Sequence, residues 1–407
     1  MRSAMNPSKQ HTIEHTIDDT LRTYFANIKT RRALLKDPVY QQHQLEIERV
    51  LQTIVYQSFD RSSIPPASPK PTLSALAWNI ERGKRLATLL DWFDQTNETK
   101  HLDFVLLTEL DIGMGRSANQ HVPKVIARHL KMHYVYANHH LVLSKGDKGE
   151  QNHHQSNRWG LHGSALLSRF PIRRAWALNI GEYLDKFHAF EKRLGEKRAL
   201  FCEVDISANA TDEQAATTLG IIVVHLDPFS PPAFRANQLS AILKQTIYFS
   251  ADINSILIGG DFNTTTFNLS NGLNAAMNLA KKLVVDGKKN TLDHYLHPYR
   301  QHEKLLFDYL LVDQFDFLSF NELAVPTVSY SLNDPLIKAK TLQYIPEQLY
   351  TSLSKWLSPY DRAGLKLDWF AAKGLHPFHT AVLASIDSLS ISDHAPIYLQ
   401  FAPTTID

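Results

Sequence analysis

The chain has 407 residues, of which 43% are hydrophobic and 10% aromatic, so it holds enough apolar side chains to bury a full core. Its 43 basic and 41 acidic residues leave a formal net charge of +2, which argues against a generic DNA-binding protein because no overall field attracts a polyanion. The single cysteine, Cys202, excludes an intramolecular disulfide, and because no apolar run approaches the length of a membrane span we expect a cytoplasmic protein.

The first predicted elements are amphipathic helices. Apolar side chains recur at three- and four-residue spacing from about Ile13 to Gln57. The pattern stops at residues 62–71, where four prolines remove backbone donors and hold the chain extended. We therefore assign residues 1–70 to a helical extension with a proline-rich linker, and residues 71–407 to one large domain.

Strands and helices alternate from Thr72 onward. Strands are predicted at 73–80, 104–108, 164–167, 200–204, 219–224 and 255–259, and helices at 86–93, 122–130 and 234–248. This alternation predicts an α/β or α+β domain with layered packing. A polar loop is expected at 144–158 and an irregular, proline-punctuated insertion at 324–360. Most histidines, including the pair His139–His140, are expected at the surface.

Several predicted strands end in polar residues. The first ends at Trp78-Asn79-Ile80, the second at Glu109, and the strand at 219–224 at His225. A glutamate at the end of a buried apolar strand is costly unless it is paired or bound to metal, which favours a metal ligand here. An oxygen-rich site without cysteine suits Mg²⁺ or Mn²⁺ better than zinc.

The strand that runs from Ser255 into Gly260 carries Asp261 and Asn263 at its end. Because side chains alternate along a strand, both are expected on the same side. A carboxylate and an amide so placed can take a proton from water and hold that water in line for attack. The alternative is an Asx turn that closes the strand, since turns favour the same residues.

An acid and a histidine, Asp393 and His394, lie beside a short apolar strand near the C-terminus. If the strand that carries Asp368 is a neighbour, this carboxylate can fix the tautomer of His394. Asp308 lies in a similar acid-aromatic pattern and is the alternative supporting acid. Asp368 is preferred because its separation from His394 suits one strand, a loop and the next strand.

Two further residues are candidates for binding the substrate. His162 precedes the predicted strand at 164–167, and Arg198 precedes the one at 200–204. Loops at the open edge of such a domain commonly select the substrate. Either side chain could grip a phosphate, and either is equally compatible with an ordinary surface position.

The order of these motifs resembles the endonuclease/exonuclease/phosphatase superfamily, which includes exonuclease III, DNase I, sphingomyelinases and inositol polyphosphate 5-phosphatases. The motifs are Trp78-Asn79-Ile80, Thr108-Glu109, Ser168-Arg169-Phe170-Pro171, His225-Leu226, Gly260-Asp261-Phe262-Asn263, Asp368-Trp369 and Ser392-Asp393-His394. The loop 111–119 is similar to that of uncharacterised bacterial members. The resemblance covers residues 73–401 and implies a four-layered α/β sandwich, two packed sheets flanked by helices, with a metal site at one edge.

The resemblance also implies roles for individual residues. Glu109 would be the principal ligand of Mg²⁺ or Mn²⁺, assisted by Asn79 and Asp393. Asp261 would be the general base for the attacking water, and Asn263 would orient that water or the phosphate.

Two histidines complete the implied site. His394, supported by Asp368, would stabilise the pentavalent phosphorus state, and His225 would serve the phosphate or the leaving oxygen. The expected function is metal-dependent hydrolysis of a phosphate ester, with a small molecule, a lipid head group or a nucleic acid as the substrate. A nuclease is the first alternative. A non-catalytic binding module on the same fold is the second, disfavoured because each identified catalytic position holds a competent residue.

Overall fold

A computed structural model of the protein describes residues 13–58, 72–147, 149–150, 154–207, 218–265, 287, 289–331, 342, 346–357 and 362–404. The helices are α1 (Asp19–Asn27), α2 (Arg31–Leu34), α3 (Pro38–Gln52), α4 (Leu86–Gln95), α5 (Val122–Leu130), α6 (Pro232–Leu243), α7 (Lys304–Val312), α8 (Glu347–Leu357) and α9 (Ile386–Ile391). The strands are β1 (Ile54–Gln57), β2 (Leu73–Arg82), β3 (Phe104–Ile112), β4 (His133–Val142), β5 (Leu161–Ser168), β6 (Ile172–Asn179), β7 (Arg193–Gly195), β8 (Arg198–Asp205), β9 (Thr218–His225), β10 (Ile256–Asp261), β11 (Val328–Ser331), β12 (Arg362–Leu365), β13 (Asp368–Lys373), β14 (Leu375–Val382) and β15 (Ile397–Pro403).

Most of these strands belong to two mixed sheets. The larger sheet has eight strands in the order β1-β4-β5-β3-β2-β15-β14, with β7 paired to β4. The smaller sheet has five strands in the order β13-β10-β9-β8-β6. In each sheet one pair of strands is parallel, β2 with β3 and β9 with β10, so their carboxyl ends meet at one edge.

The two sheets pack face to face through an apolar core, to which Leu106 contributes from one sheet and Leu257 and Phe370 from the other. A second cluster, including Trp78 and Leu89, joins the outer face of the larger sheet to helices. A third, including Leu239, does the same for the smaller sheet. Each sheet therefore buries both faces, and the predicted α/β sandwich with flanking helices is confirmed.

The N-terminal extension is tied to this sandwich. Helix α3 ends at Gln52 and the chain continues as β1, which pairs with β4 as an edge strand of the larger sheet. The sequence pattern predicted helix up to about Gln57. The difference arises because Ile54, Val55 and Tyr56 are β-branched or aromatic and find a strand partner in β4. The predicted linker at 62–71 lies outside the described residues.

The predicted insertion at 324–360 contains regular structure where it is described. Strand β11 pairs with β12, and α8 lies between them in the chain. Just before this region, the segment that contains Asp308 is helix α7, not the strand that the acid-aromatic pattern suggested. Within the described part of the chain, no helix combines the length and apolarity needed to cross a membrane.

Candidate active site

Five side chains meet at the edge where the two sheets present their carboxyl ends. Asn79 lies near the end of β2 and Glu109 near the end of β3, while His225 and Asp261 are the last residues of β9 and β10. His225 is the register partner of Asp261 on one side, and Asp368, the first residue of β13, is its partner on the other. Residues far apart in the sequence thus form one polar cluster.

The backbone at this edge departs from regular strand geometry. Glu109 has φ +54° and lies where the pairing of β3 shifts register, between Leu107 and Leu110. Asn263 has φ +50°. Gly260 has φ +133°, and a Cβ there would lie 2.2 Å from the backbone oxygen of Val224, so β10 can approach β9 this closely only with glycine. Bulges and positive φ values commonly redirect side chains at functional sites.

Asp261 is buried and lies at the centre of the cluster. Its Oδ2 accepts from Asn79 Nδ2 at 3.1 Å, and its Oδ1 accepts from the backbone N–H of Asn263 at 2.8 Å. The same Oδ2 lies 3.6 Å from Nε2 of His225 and 3.9 Å from Nε2 of His394. Burial raises the pKa of Asp261 to about 7, against the opposing effect of His394. This carboxyl group can therefore exchange a proton near neutral pH.

His394 and Asp368 form a buried pair in which the carboxylate Oδ2 lies 2.8 Å from Nδ1 of the imidazole. Burial opposes the charged imidazole, but Asp368 and Asp261 raise the pKa of His394 well above its usual value. The loop that holds His394 is fixed because its carbonyl accepts from Trp78 Nε1 at 2.7 Å. Asp308, in contrast, lies on α7, where it pairs with Lys304 at 2.6 Å.

Glu109 lies between Arg82 and His225, and neither side chain is within hydrogen-bond distance of its carboxylate. Arg82 Nε lies 3.9 Å from its Oε2, and His225 Nε2 lies 3.9 Å from its Oε1. Burial disfavours the carboxylate, but the charge of Arg82 holds the pKa of Glu109 well below its usual range. Asp393 is exposed next to His394. Glu109 is therefore ionised, with oxygen atoms that lie beyond hydrogen-bond distance of both Arg82 and His225.

The two predicted substrate residues have different surroundings. His162 is buried on β5, and its Nδ1 lies 2.9 Å from Asp111 Oδ1. Arg198 is buried at the start of β8, where Nη1 donates to the backbone oxygens of Leu51 at 3.0 Å and Asn138 at 2.9 Å. The Arg198 guanidinium thus holds the end of α3 against β4. We leave Arg198 out of the proposed catalytic site.

Sequence reasoning missed Lys197, which is 5% exposed and immediately precedes Arg198. Burial lowers the pKa of Lys197 to about 8, against the opposing charges of Glu109, Glu182, Asp227 and Asp261. Neighbouring residues of an extended chain face opposite sides, so the Lys197-Arg198 pair was a signal that one of the two faces the site. Arg198, and not Lys197, was the predicted substrate residue.

The expectation that His139 and His140 lie at the surface is wrong. Their exposed fractions are 1% and 0%, respectively. His140 Nε2 lies 3.1 Å from Glu182 Oε1, and burial lowers the pKa of both histidines. The polar composition of the segment misled the prediction because β4 is covered on both faces, by α3 and by the smaller sheet.

A buried ion network also surrounds Glu109. Arg82 Nη1 pairs with Glu150 at 2.9 Å, and Arg116 pairs with Glu150 at 3.0 Å and with Glu191 at 2.6 Å. The described part of the predicted loop 144–158 is thereby fastened to the strand ends. These contacts fix the position of Arg82, the cation nearest to Glu109.

One group of potential metal-binding atoms is compact among the described residues. Asp261, Asp368 and His394 each offer an atom within 4.8 Å of the others. In this group the Asp368–His394 hydrogen bond already uses one carboxylate oxygen and Nδ1. Glu109 and Asn79 are carried by β3 and β2 of the larger sheet, and the Asn79 Oδ1 also accepts from the backbone N–H of Glu81 at 3.1 Å. Hard divalent cations prefer such oxygen donors.

The chain matches one model of a known protein family and is similar to several solved structures. A model of the Endonuclease/Exonuclease/phosphatase family matches residues 76–394. Solved structures similar to the chain include an endonuclease/exonuclease/phosphatase from Beutenbergia cavernae DSM 12333, with 15% identity, a TM-score of 0.45, and coverage of 82% of this chain and 72% of that one. No curated protein matches the sequence.

Two further similar structures carry more specific descriptions. One is the 3′ phosphatase NExo from Neisseria bound to a product DNA hairpin, with 13% identity, a TM-score of 0.43, and coverage of 80% of this chain and 98% of that one. The other is the human Nocturnin catalytic domain with a bound sulfate, with 14% identity, a TM-score of 0.41, and coverage of 88% and 99%.

Proposed function

Since the chain belongs to the endonuclease/exonuclease/phosphatase family, we propose that it is a divalent-metal-dependent phosphoesterase that hydrolyses its substrate by in-line attack of water. The observation that carries this proposal is the convergence of Asn79, Glu109, Asp261, Asp368 and His394 at one edge of the sandwich. This cluster offers a base of suitable pKa, a supported histidine and an anionic oxygen ligand.

Glu109, Asn79 and Asp393 are the residues that would hold Mg²⁺ or Mn²⁺. The donor set fits because it consists of oxygen atoms, and because the Glu109 carboxylate is ionised with no cation closer than 3.9 Å in the ion pairs it makes. When bound, the ion supplies positive charge that polarises the phosphate and offsets the charge that grows on its oxygens. Asp261, Asp368 and His394 are the alternative ligand group, but a cation there would oppose the protonated state of His394.

Asp261 is the proposed general base. Its pKa near 7 lets the carboxylate accept a proton from water, and its two hydrogen bonds, from Asn79 and from the Asn263 backbone, fix its orientation. The Asn263 side chain is held in turn because its Nδ2 donates to the backbone oxygen of Leu226 at 2.9 Å. Asn263 thus positions the base, and its amide oxygen is the group that we propose orients the water.

The proposed reaction also requires positive groups near the reacting phosphate, because negative charge develops there. His394, kept protonated by Asp368, offers an imidazolium at Nε2, and Lys197 offers a buried ammonium group. Burial also lowers the pKa of His225 well below its usual value, so this residue is neutral and suited to hydrogen bonding with the phosphate or the leaving oxygen. Positive groups placed where negative charge develops stabilise such a transition state.

The proposal is tested by release of p-nitrophenol from bis-p-nitrophenyl phosphate and from p-nitrophenyl phosphate, with Mg²⁺, Mn²⁺ or EDTA. We expect turnover that EDTA abolishes. Asp261→Asn should lower kcat by about a hundredfold or more, because the base is lost, and leave the metal concentration at half-maximal rate unchanged. Glu109→Gln should raise that concentration, because the ligand loses its charge. Turnover that neither variant alters would contradict the proposal.

A further inference from the structure

Arg82 lies beside the proposed metal ligand Glu109 and carries a buried donor that no acceptor uses. Its Nε lies 3.9 Å from Glu109 Oε2, beyond hydrogen-bond distance, and has no hydrogen-bond partner among the described residues. A buried N–H group without an acceptor raises the free energy of the folded protein. A shift of about 1 Å toward Glu109 would give this donor a charged acceptor.

That shift would occupy the metal site. A guanidinium is a planar fork that can bind both oxygens of one carboxylate at the same time. The same oxygens of Glu109 are the donors that a divalent cation would take. Arg82 and a divalent cation are therefore competitors for the Glu109 carboxylate.

Two other carboxylates bind a different nitrogen of this guanidinium. Asp147 Oδ2 and Glu150 Oε1 each accept from Arg82 Nη1 at 2.9 Å. Glu191 Oε2 lies 3.7 Å from Nη2. Because the guanidinium is rigid, two hydrogen bonds at Nη1 limit how far Nε can move toward Glu109.

The two acids belong to a short turn that follows β4. The backbone N–H of Glu150 donates to the carbonyl of Asp147 at 3.0 Å, and the backbone N–H of Asp147 donates to Glu150 Oε2 at 3.0 Å. Glu150 also pairs with Lys84 at 2.6 Å and with Arg116 at 3.0 Å. These contacts fix the carboxylates independently of Arg82, which is what a binding site for its guanidinium requires.

The backbone around Arg82 is equally well defined. Glu81, Arg82 and Gly83 have φ values of +44°, +71° and +71°, so three successive residues lie in the left-handed region. This region is unfavourable for residues with a Cβ and persists where surrounding contacts enforce it. One such contact is the hydrogen bond from the backbone N–H of Glu81 to Asn79 Oδ1 at 3.1 Å. Arg82 therefore enters the site on a defined turn at the end of β2.

We propose that Asp147 and Glu150 are positioning residues that hold the Arg82 guanidinium away from Glu109, and so keep this carboxylate open to the divalent cation. The inference rests on the proposed metal-dependent function. It gives a role to described residues of the segment 144–158, which the sequence predicted as a polar loop. Without the two acids, the guanidinium pairs with Glu109 and the affinity for the cation falls.

The test measures Mn²⁺ binding directly, by electron paramagnetic resonance of the free ion and without substrate. Asp147→Asn should raise the dissociation constant about three- to tenfold, because Arg82 loses one of the two carboxylates at Nη1 and moves toward Glu109. The Asp147 side chain is 43% exposed, so this variant should fold. Glu150 is less suitable because it also holds Lys84 and Arg116.

Asp205→Asn is the matched control, since it removes the same charge from a similar ion pair elsewhere. Asp205 Oδ2 lies 3.0 Å from Arg173 Nη2. Asp205 is the last residue of β8, whereas Lys197 precedes the first residue of that strand. The control should bind Mn²⁺ with the dissociation constant of the unaltered protein.

A double-mutant cycle separates this role from direct attraction between Asp147 and the cation. If Asp147 acts through Arg82, Asp147→Asn has no effect on the dissociation constant in the Arg82→Gln background. Direct attraction would instead weaken binding in both backgrounds. The titrations use about 0.15 M KCl, where the screening length is about 8 Å. Thermal denaturation without metal checks that each variant folds, and Arg82→Lys, which lacks the planar fork, replaces Arg82→Gln if the latter does not.

Three outcomes would overturn the inference: an unchanged dissociation constant in Asp147→Asn, an equal loss in both backgrounds, or no Mn²⁺ binding by the unaltered protein. Turnover of bis-p-nitrophenyl phosphate by the unaltered protein reports the proposed function separately. Metal-dependent turnover together with unchanged Mn²⁺ binding in Asp147→Asn would reject the inference and leave the proposed function standing.

Discussion

Asp261 and Asp368 face each other across neighbouring strands, yet their hydrogen bonds give them different surroundings. Asp368 binds the Nδ1 side of His394, whereas Asp261 accepts hydrogen bonds from Asn79 and Asn263. Burial together with the charge of Asp368 raises the pKa of Asp261 to about 7. Two neighbouring carboxyl groups in unlike environments commonly divide acid–base work in this way. The proposed roles of base and histidine support follow from that division.

The residue-scale prediction uses a matched pair of aspartates. Asp368→Asn should lower kcat for bis-p-nitrophenyl phosphate by about a hundredfold, because an amide cannot hold His394 in its charged form. Asp308→Asn should have no effect, since Asp308 lies on α7 and pairs with Lys304. Steady-state kinetics of both variants with saturating Mg²⁺ distinguish them. A silent Asp368→Asn would remove Asp368 from the mechanism.

At the scale of elements, the connection between the N-terminal segment and the sandwich depends on buried and partly buried cations. Arg198 binds the carbonyls of Leu51 and Asn138, and Lys192 Nζ donates to the carbonyl of Ile28 at 3.1 Å. Arg22, also buried, donates to the backbone oxygens of Ile17 and Asn157. Charged donors satisfy the carbonyls that a helix leaves unpaired at its end. Strand β1 adds backbone pairing to β4.

This arrangement predicts the effect of removing one cation. Arg198→Met should lower the free energy of unfolding by about 2 kcal/mol or more, because buried carbonyl groups lose their donors. Arg300→Met is the control, since its side chain is 55% exposed and its ion pair with Asp293 spans 3.6 Å. Urea denaturation measures both. Equal stability of the two variants would show that Arg198 does not hold the extension.

At the scale of the whole molecule, partly buried neutral histidines make stability depend on pH. Burial lowers the pKa of His121, the N-cap of α5, and that of His15 to about 4. In the unfolded chain a histidine titrates near 6.5. Well above pH 6.5 these two histidines are neutral in both states, so they add no pH dependence there. As the pH falls from 6.5 toward 4, the unfolded chain binds protons that the folded chain does not, so stability decreases.

The measurement is the free energy of unfolding in urea at pH 6.5 and at pH 4.5. His121→Asn should reduce the difference between the two values by about 1 to 2 kcal/mol, since asparagine still caps the helix but does not titrate. His376→Asn is the control because His376 is exposed. If His121→Asn leaves the difference as large as in the unaltered protein, the burial of this ring does not control the pH dependence.

The helices and strands of the domain and the motifs of the family could be predicted from the sequence by itself. Helix α5 was predicted with its observed bounds, and the strands that carry Asn79, Glu109, His225 and Asp261 were all identified. This is possible because hydrophobic periodicity and secondary-structure propensity are properties of a few neighbouring residues. The same local signals placed acids, amides and histidines at strand ends, where the motifs of the family could be recognised.

Tertiary structure alone decided which of these groups meet. Asn79 contacts Asp261 across 182 positions of the chain, and Trp78 contacts His394 across 316. Such long-range pairings also decide that His139 and His140 are buried, and that Lys197 and Arg198 have different partners. Burial and partners are set by whichever distant strands pack together, and local sequence carries no information about those neighbours.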